Sequence, residues 1–158
     1  PLTMLGFGAS LRFRPVPAFA LELGFDRVSG DNDVGDFRRH ENTFSLNALL
    51  YAFPKSFFQP YLIGGAHASV AHIESDSGAV LLPRGNMADY AYVGVQGGAG
   101  VSLRLTRGFG VSFDGLGFLR KRVDAAASEF PEFVDNQRGV ASNVGGGVLL
   151  RTGLNFWW

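Results

Sequence analysis

The clearest structural signal in this chain is an alternation in the stretch AYVGVQGGAGVSLRL, which runs from Ala91 to Leu105. One set of alternate positions is mainly apolar, and the other set includes Gln96, Ser102, Arg104 and three glycines. The apolar positions are Val93, Val95, Ala99, Val101, Leu103 and Leu105. Successive side chains of a β-strand point to opposite faces, whereas a helix would mix the two sets on every side. The stretch therefore predicts one β-strand that is long for a soluble protein.

The same alternation recurs in six further segments, so the chain is predicted to form about seven strands. The segments run from Leu2 to Arg14, Phe19 to Asp26, Phe44 to Leu50, Gln59 to His72, Phe109 to Phe118 and Val144 to Trp158. The pattern is weaker in the fourth of these segments, because His67 and Ser69 share a face with Ile63. It is also blurred at Leu116 and Phe118 in the fifth.

The connections between these segments alternate strictly between short and long. Short connections fall near Pro15 to Pro17, Pro54 to Phe57 and Thr106 to Gly108, and long polar loops fall at residues 29–40, 74–88 and 124–138. Tight turns at one rim and large loops at the other are typical of an up-and-down transmembrane barrel. We therefore expect an all-β fold, an antiparallel up-and-down transmembrane β-barrel, with residues 1–158 forming one domain.

Composition excludes several functional classes. The 14 basic and 14 acidic residues balance, which removes the basic surplus that nucleic-acid binding needs. The chain has no cysteine, so disulfide and thiolate chemistry are absent. Its apolar run from Ala48 to Phe53 is far shorter than the roughly 18 residues that a membrane-spanning helix needs. The 22 glycines and 15 phenylalanines suit curved strands with rings placed at interfaces.

Three observations favour a membrane barrel over a soluble one. The strands span about 11 to 15 residues, against about 5 to 6 in soluble proteins. The charged residues lie on the small, glycine-rich face, which inverts the pattern of a soluble barrel. Aromatic residues gather beside the short connections, where their rings are expected at the headgroup level of a bilayer. These aromatic residues are Phe13, Phe19, Tyr51, Phe53, Phe57, Phe58, Tyr61 and Phe109.

The last eight residues, RTGLNFWW, carry the most specific motif in the chain. They resemble the C-terminal assembly signal of outer-membrane barrels, with Arg151, Gly153, Phe156 and Trp158 at the polar, glycine and two aromatic positions. The segments LRFRP and QPYLIGG also look typical of the small eight-stranded porin-like, outer-membrane protein A-like barrels. The resemblance covers essentially the whole chain. It implies an eight-stranded barrel in the bacterial outer membrane, with its C-terminus in the periplasm.

The strand count departs from that family pattern. Bacterial single-chain barrels have an even number of strands, whereas this sequence predicts seven. If the last strand runs toward the periplasm, the strand from Leu2 to Arg14 corresponds to the second strand of the family. We therefore expect the first strand to lie upstream or to be supplied by another segment or chain.

The polar face is expected to point into the barrel. An eight-stranded barrel is just wide enough for side chains to fill, and charges buried there must pair. The expected inward residues are Arg12, Arg14, Glu22, Asp26, Asn47, His67, Gln96, Arg104, Asp114, Arg120, Asn143 and Arg151. They predict a plugged interior of salt bridges and hydrogen bonds, with a narrow channel as the alternative.

One sequence feature suggests an enzyme. His67 and Ser69 share a face, and lipid A deacylases, which are also small outer-membrane barrels, use a His-x-Ser pair with an orienting glutamate. Glu22 or Glu74 would be the glutamate here, but the flanking residues do not match that family's motif. We therefore expect no catalytic site.

No metal or cofactor site is expected either. The three histidines, His40, His67 and His72, lack the spacing of metal ligands. The glycines at 94–100 and 145–147 lie within strands with no following helix, so they do not form phosphate-binding loops. We expect these glycines to relieve crowding where the sheet curves.

These features together predict a structural or interaction barrel of the outer membrane. The expected partners are outer-membrane lipids and lipopolysaccharide, the barrel-assembly machinery, and an envelope protein bound through the loops at 29–40, 74–88 and 124–138. Acidic side chains in these loops offer a divalent cation site as the less favoured interpretation, and Phe130 and Phe133 offer an apolar contact. The alternatives are a channel, a lipid-modifying enzyme and a soluble ligand-binding barrel.

Overall fold

The computed structural model describes residues 4–32, 37–75, 87–106, 108–127, 133–135 and 140–156. These residues form strands β1 (Leu5–Val16), β2 (Phe19–Asn32), β3 (Phe37–Tyr51), β4 (Phe58–Ser75), β5 (Met87–Arg104), β6 (Phe109–Arg122), β7 (Phe133–Asp135), β8 (Val140–Ser142) and β9 (Val144–Phe156). The described part of the chain contains no helix with the length and hydropathy needed to span a membrane.

Seven long strands form one antiparallel up-and-down sheet in the order β1-β2-β3-β4-β5-β6-β9. Each strand pairs with its neighbour in sequence, except that β6 pairs with β9 across the small β7–β8 ribbon. The sheet curls into a half-barrel whose two edge strands, within the described residues, are β1 and β9. The prediction of an all-β meander with seven alternating strands is therefore confirmed.

The three predicted long loops differ from the structure in their bounds or in their content. In place of a loop at 29–40, β2 continues to Asn32 and β3 begins at Phe37, with Ser29 paired to His40. The cause is that both faces are polar here, so the alternation is hidden although the backbone ladder continues. In the predicted loop at 124–138, Phe133 to Asp135 forms β7, since Phe and Val favour strands.

The predicted loop at 74–88 also begins and ends within strands, because Glu74 pairs with Met87 in the β4–β5 ladder. Residues 76–86 and 128–132 lie outside the described residues, and so does the predicted apolar loop residue Phe130.

The two faces of the sheet differ sharply in polarity. In the run Leu21-Glu22-Leu23 the leucines are 42% and 58% exposed, whereas the glutamate between them is 0% exposed. The same contrast holds on the other long strands, where apolar side chains face outward and polar side chains face inward. Exposed outward side chains include Leu5, Phe7, Leu11, Phe13, Phe44, Leu46, Leu62, Val95, Leu119, Val148 and Leu150.

A thin apolar layer crosses the otherwise polar interior. Ala20, Leu49, Ile63, Leu116 and Leu149 occupy one continuous register row through β2, β3, β4, β5, β6 and β9, with Gly98 in the β5 position. All but the partly buried Leu149 are buried. Ile63, Leu116 and Phe118, which blurred the sequence pattern, therefore point inward together with the polar side chains.

The glycines of β5 follow the same division into two faces. A Cβ atom on inward-facing Gly98 would overlap the carbonyl group of Gly115 on β6, because the two backbones approach closely there. A Cβ atom on Gly94 would lie 2.7 Å from the His67 ring, so that glycine leaves room for a buried side chain. Outward-facing Gly97 has open space, with the nearest atom, the Ile63 carbonyl oxygen, at 3.6 Å. The inward glycines therefore relieve crowding in the curved sheet, as expected.

This difference gives a matched pair of substitutions. We expect Gly98→Ala to lower the free energy of unfolding by about 1–3 kcal/mol, because backbone atoms of β6 would have to move. Gly97→Ala should leave that free energy unchanged or raise it slightly, since the new methyl group makes only an ordinary van der Waals contact with the Ile63 carbonyl oxygen. Urea unfolding of both variants measures the difference. Equal midpoints for the two variants would contradict the close approach of β5 and β6.

Candidate functional site

Glu22 is the centre of the polar interior. It lies on β2, is fully buried, and accepts hydrogen bonds from side chains on three other strands. Arg12 on β1 donates from Nε at 3.0 Å and from Nη2 at 2.5 Å, both to Oε2. Asn47 on β3 and Arg151 on β9 each donate to Oε1 at 3.1 Å. One carboxylate therefore joins β1, β2, β3 and β9.

Arg151 links this centre to a second buried carboxylate. Its Nη2 also donates to Oδ2 of Asp114 on β6 at 3.0 Å, and its Nη1 lies 3.9 Å from Oδ2 of Asp26. The Tyr61 hydroxyl on β4 donates to the other Asp114 oxygen at 2.5 Å. Arg151 thus lies among three carboxylates, and the network reaches β6 and β4.

The remaining contacts extend the network to β5 and link its two tyrosine residues. The side-chain amide of Gln96 donates to the Asn47 carbonyl oxygen at 2.7 Å. Arg12 donates to the Tyr51 hydroxyl at 3.0 Å, and the rings of Tyr51 and Tyr61 lie 4.9 Å apart. We call Arg12, Glu22, Asn47, Tyr51, Tyr61, Gln96, Asp114 and Arg151 the Glu22 network. It contains a side chain from every one of the seven long strands.

A second cluster lies nearer the long loops and is centred on Glu41 of β3. Arg39 donates to its Oε2 at 3.0 and 3.2 Å, Arg120 of β6 donates to its Oε1 at 2.5 Å, and Ser69 of β4 donates to Oε1 at 2.7 Å. The Tyr92 ring of β5 lies beneath both guanidinium groups, at 5.4 Å from Arg39 and 4.3 Å from Arg120. We call this set the Glu41 cluster.

A third ion pair lies at the loop end of β6. The buried Arg122 donates two hydrogen bonds to Asp124, at 2.5 and 2.8 Å, and stacks over the Tyr90 ring at 3.8 Å. The hydrogen bonds from Arg122 hold the pKa of Asp124 below its ordinary value. Asn143 donates nearby to the carbonyl oxygen of Ala127 at 2.6 Å.

The expected inward residues that belong to the long strands lie on the inner side of the sheet, but they do not all meet. Arg14 donates to the Pro17 carbonyl oxygen and to Gln59, and its guanidinium group lies 3.9 Å from the centre of the Tyr51 ring. Arg104 lies at the short-turn end of β5, beside Lys55. The His67 side chain is buried, and its ring lies edge-on to the Phe118 ring with the two ring centres 5.8 Å apart.

Several interior residues were missed by the sequence interpretation. Arg39 fell within a predicted loop, and Glu41 lay just beyond it, ahead of the recognised alternation. Both are in phase with Asn47, so extending the alternation backwards would have found them. Tyr51 and Tyr61 were expected at the headgroup level, which is wrong. Both are buried inside, because they lie in phase with the inward side of their strands.

The His67 and Ser69 pair does not form the arrangement that a deacylase needs. The Ser69 hydroxyl donates to Glu41 and not to His67, and His67 Nδ1 is buried without a partner among the described residues. Glu22, one of the two glutamates considered, is held by Arg12 and Arg151. The side chain of Glu74 lies outside the described residues.

The terminal motif is described only in part. Arg151 and Gly153 lie on β9, and the backbone of Phe156 pairs with Phe109. Trp158 lies outside the described residues. No group of three or more histidine, aspartate or glutamate side chains in the described residues is arranged to hold a metal ion.

Comparisons with protein-family models, with curated proteins and with solved structures give no match for this chain. The functional conclusion therefore rests on the geometry of the interior and on the surface that surrounds it. That geometry is a set of mutually neutralised charges, which fills space and links strands.

The Glu22 network can be tested by one conservative substitution. We expect Glu22→Gln to lower the free energy of unfolding by about 3–5 kcal/mol, the range for removing one partner of a buried ion pair. Arg12 would lose its carboxylate, and Arg151 would keep only those of Asp114 and Asp26. The measurement is a urea titration of the folded chain.

Asp89→Asn is the control for that test. It removes a carboxylate whose side chain is 72% exposed beside His72, where we expect a change of about 1 kcal/mol or less. If the two variants lost the same stability, Glu22 would not be the centre of the interior.

Proposed function

We propose that this chain is an integral β-barrel of the bacterial outer membrane with a plugged interior. Its role would be structural, or interaction through its loops, and not catalysis. One observation carries this proposal, namely that polar side chains are buried and apolar side chains are exposed, the reverse of the arrangement in a soluble protein. Glutamate, asparagine and arginine side chains are buried, whereas Phe7, Val148 and Leu150 are 74%, 77% and 80% exposed on the outer face.

A bilayer is the solvent that such a surface favours. Removing one large apolar side chain from water yields about 1.5–3 kcal/mol, and more than twenty such side chains are exposed here. Soluble monomers rarely expose an apolar patch of more than a few hundred Å². In hydrocarbon the same side chains carry no penalty, and the strands satisfy their backbone groups through the sheet.

The height of the apolar surface supports the same proposal. On β6 the outward positions from Phe109 to Leu119 carry no charge, and Lys121 follows at the loop end. Eleven residues at about 3.3 Å each, tilted by roughly 40°, span about 28 Å, which is near the 25 Å apolar band of outer-membrane barrels. On β2 and β3 the first polar outward side chains toward the loop end are Arg27 and Asn42.

The edges of the sheet support a barrel with one further strand. In a bilayer, an open seam between β1 and β9 would leave backbone groups without partners in hydrocarbon, which is costly. One additional strand would pair with both edges and give the even number that bacterial barrels have. We propose that an eighth strand fills this seam, supplied by another segment of the polypeptide or by another chain.

The C-terminal strand supports a role for the barrel-assembly machinery. β9 is an edge strand among the described residues, and its outward side chains Val148, Leu150 and Leu154 are exposed. Such an edge can be captured by strand addition. Together with the polar, glycine and aromatic spacing of the final residues, this makes the assembly machinery a proposed partner, alongside outer-membrane lipids, lipopolysaccharide and an envelope protein at the loops.

Two outward positions on one strand test membrane insertion. The chain has no cysteine, so Leu46→Cys and Asn42→Cys each introduce a single labelling site on the outer face of β3. After labelling with a fluorophore and folding into vesicles, we expect the label at 46 to be quenched by nitroxides on lipid acyl chains. The label at 42, about 13 Å further along the strand, should be quenched by aqueous iodide. Equal quenching of both labels by iodide would overturn the membrane proposal.

The plugged interior makes a separate prediction about transport. The Glu22 network and the Glu41 cluster fill the interior at two levels, so the chain in planar bilayers should give no steady conductance. Regular ohmic steps would instead support the channel alternative and refute the plug, without affecting the evidence for insertion. The Glu22→Gln variant serves as the comparison, because partial loss of the plug should raise the frequency of transient openings.

A further inference from the structure

The seam between β1 and β9 opens into the interior on the half of the sheet nearer the long loops. The inward positions of the two edge strands on that half are Gly6, Gly8, Ser10, Gly145 and Gly147. Ser10 lies in the same register row as Ser45, yet Ser10 is exposed whereas Ser45 is 3% exposed. The sheet therefore leaves room on this half for large inward side chains of a strand that fills the seam.

The half of the seam nearer the short turns is already filled. Arg12 and Arg14 point inward from β1, and Leu149 and Arg151 point inward from β9. A strand in the seam therefore needs small inward residues on this half and large ones on the other, to give the close packing of protein interiors.

Asp26 is the carboxylate that faces the open half of the seam. Its side chain lies over Gly8 of β1, since a Cβ atom on that glycine would overlap the Asp26 Oδ1 atom. The Asp26 side chain is 22% exposed, against 1% for Glu22 and 5% for Asp114. Asp26 thus leans from β2 across the edge strand toward the seam.

Asp26 also has the weakest ionic contact of the three carboxylates around Arg151. Nη1 of this arginine lies 3.9 Å from Asp26 Oδ2, beyond hydrogen-bond distance. Its Nη2 donates instead to Glu22 at 3.1 Å and to Asp114 at 3.0 Å. Arg12 is bound to Glu22, so two guanidinium groups serve three carboxylates. Asp26 is therefore the least compensated carboxylate of the three.

The neighbours of Asp26 in the sheet do not supply a further cation. Gly8 on β1 and Thr43 on β3 are its register partners, and neither is charged. Arg120, which belongs to the Glu41 cluster, donates to Glu41. All of these residues belong to the described part of the chain. The direction that remains open to a cation is the seam itself, reached across Gly8.

The direction of the edge strands defines how a strand would fit there. β1 and β9 run in the same direction, because they are the first and last of seven alternating antiparallel strands. A strand that runs opposite to both continues the antiparallel ladder at each edge. Residues directly opposite each other in such a ladder share a face. The residue opposite Gly8 would therefore point inward, beside Asp26.

We propose that the strand in the seam carries an inward arginine opposite Gly8, and that this arginine binds Asp26. Guanidinium groups form paired hydrogen bonds to carboxylates. The distance is one that an arginine covers, since Arg151 already reaches Glu22 on β2 from the far side of the seam. The proposal rests on the eighth strand proposed above and adds the chemistry by which that strand is recognised.

A matched pair of synthetic peptides provides the test. Each has 12 residues, the length of β1, with apolar residues outward and glycine or serine inward on the short-turn half. One carries arginine opposite Gly8, and the other carries citrulline, which has the same shape without the charge. Native mass spectrometry from non-ionic detergent measures the binding of each peptide to the folded chain. We expect the arginine peptide to bind about tenfold more tightly, the effect of one hydrogen bond to a charged group.

Two variants of the chain locate the effect. Asp26→Asn should make the two peptides bind equally, because the carboxylate that distinguishes them is gone. Asp89→Asn removes a carboxylate from the outer face, where Asp89 is 72% exposed, and should preserve the tenfold difference. A change in gel migration between unheated and boiled samples confirms that each variant is folded.

The other outcomes count against the proposal. Equal binding of the two peptides to the unaltered chain would overturn it, and so would a tenfold difference that persists in Asp26→Asn. A difference lost equally in Asp26→Asn and Asp89→Asn would show a general effect of charge, and the pairing with Asp26 would be refuted. If neither peptide bound, the eighth strand would be refuted together with its arginine. The cysteine quenching test reports insertion separately, so these failures are distinguishable from failure of the membrane proposal.

Discussion

The ion pairs of Arg151 are the interaction on which the rest of the structure depends. This side chain extends from the last strand and binds Glu22 on β2 and Asp114 on β6. Isolated charges in a low-dielectric interior cost several kcal/mol each, so each of the three groups requires the others. Asp114 lies directly opposite Arg151 on the adjacent strand. Because β2 and β9 are far apart in the sheet order, the pair of Arg151 with Glu22 forms only when the sheet is curled. The charges of the interior are therefore neutralised only when the backbone of the sheet is curved.

The same constraint explains why the outer face is free to be apolar. A curled sheet with polar groups satisfied inside does not need a hydrophobic core, apart from the thin layer around Leu49, Ile63 and Leu116. Apolar side chains are then available for the outside, where in water they would favour aggregation and in a bilayer they match their surroundings. Inward glycines such as Gly98 complete this arrangement, since they let adjacent backbones approach where the sheet bends.

Sequence alone predicted this fold well, because alternation with a period of two depends only on which face a residue occupies. It placed Arg12, Glu22, Asp114 and Arg151 inside correctly. It could not name their partners, since the contact between Arg151 and Glu22 depends on curvature and on the stagger between strands. The prediction from sequence also failed where both faces of a strand carry polar residues, because polarity then does not distinguish the inward face from the outward one. Arg39 was assigned to a loop because its surroundings are polar on both sides of the strand.

A filled interior restricts where this molecule can act. The Glu22 network joins all seven long strands through buried hydrogen bonds and ion pairs. Moving one strand past another would leave some of these buried polar groups without partners, so a sliding or gating motion is opposed. The two ends of the sheet are then the places where the molecule can contact other molecules. These ends differ in charge, because the basic residues of the short turns have no acidic neighbours in sequence. In a membrane, such an end would lie at the level of the phosphate groups, which attract arginine and lysine side chains. The rigid interior and the polarised ends are consistent with a protein that acts by binding at its rims.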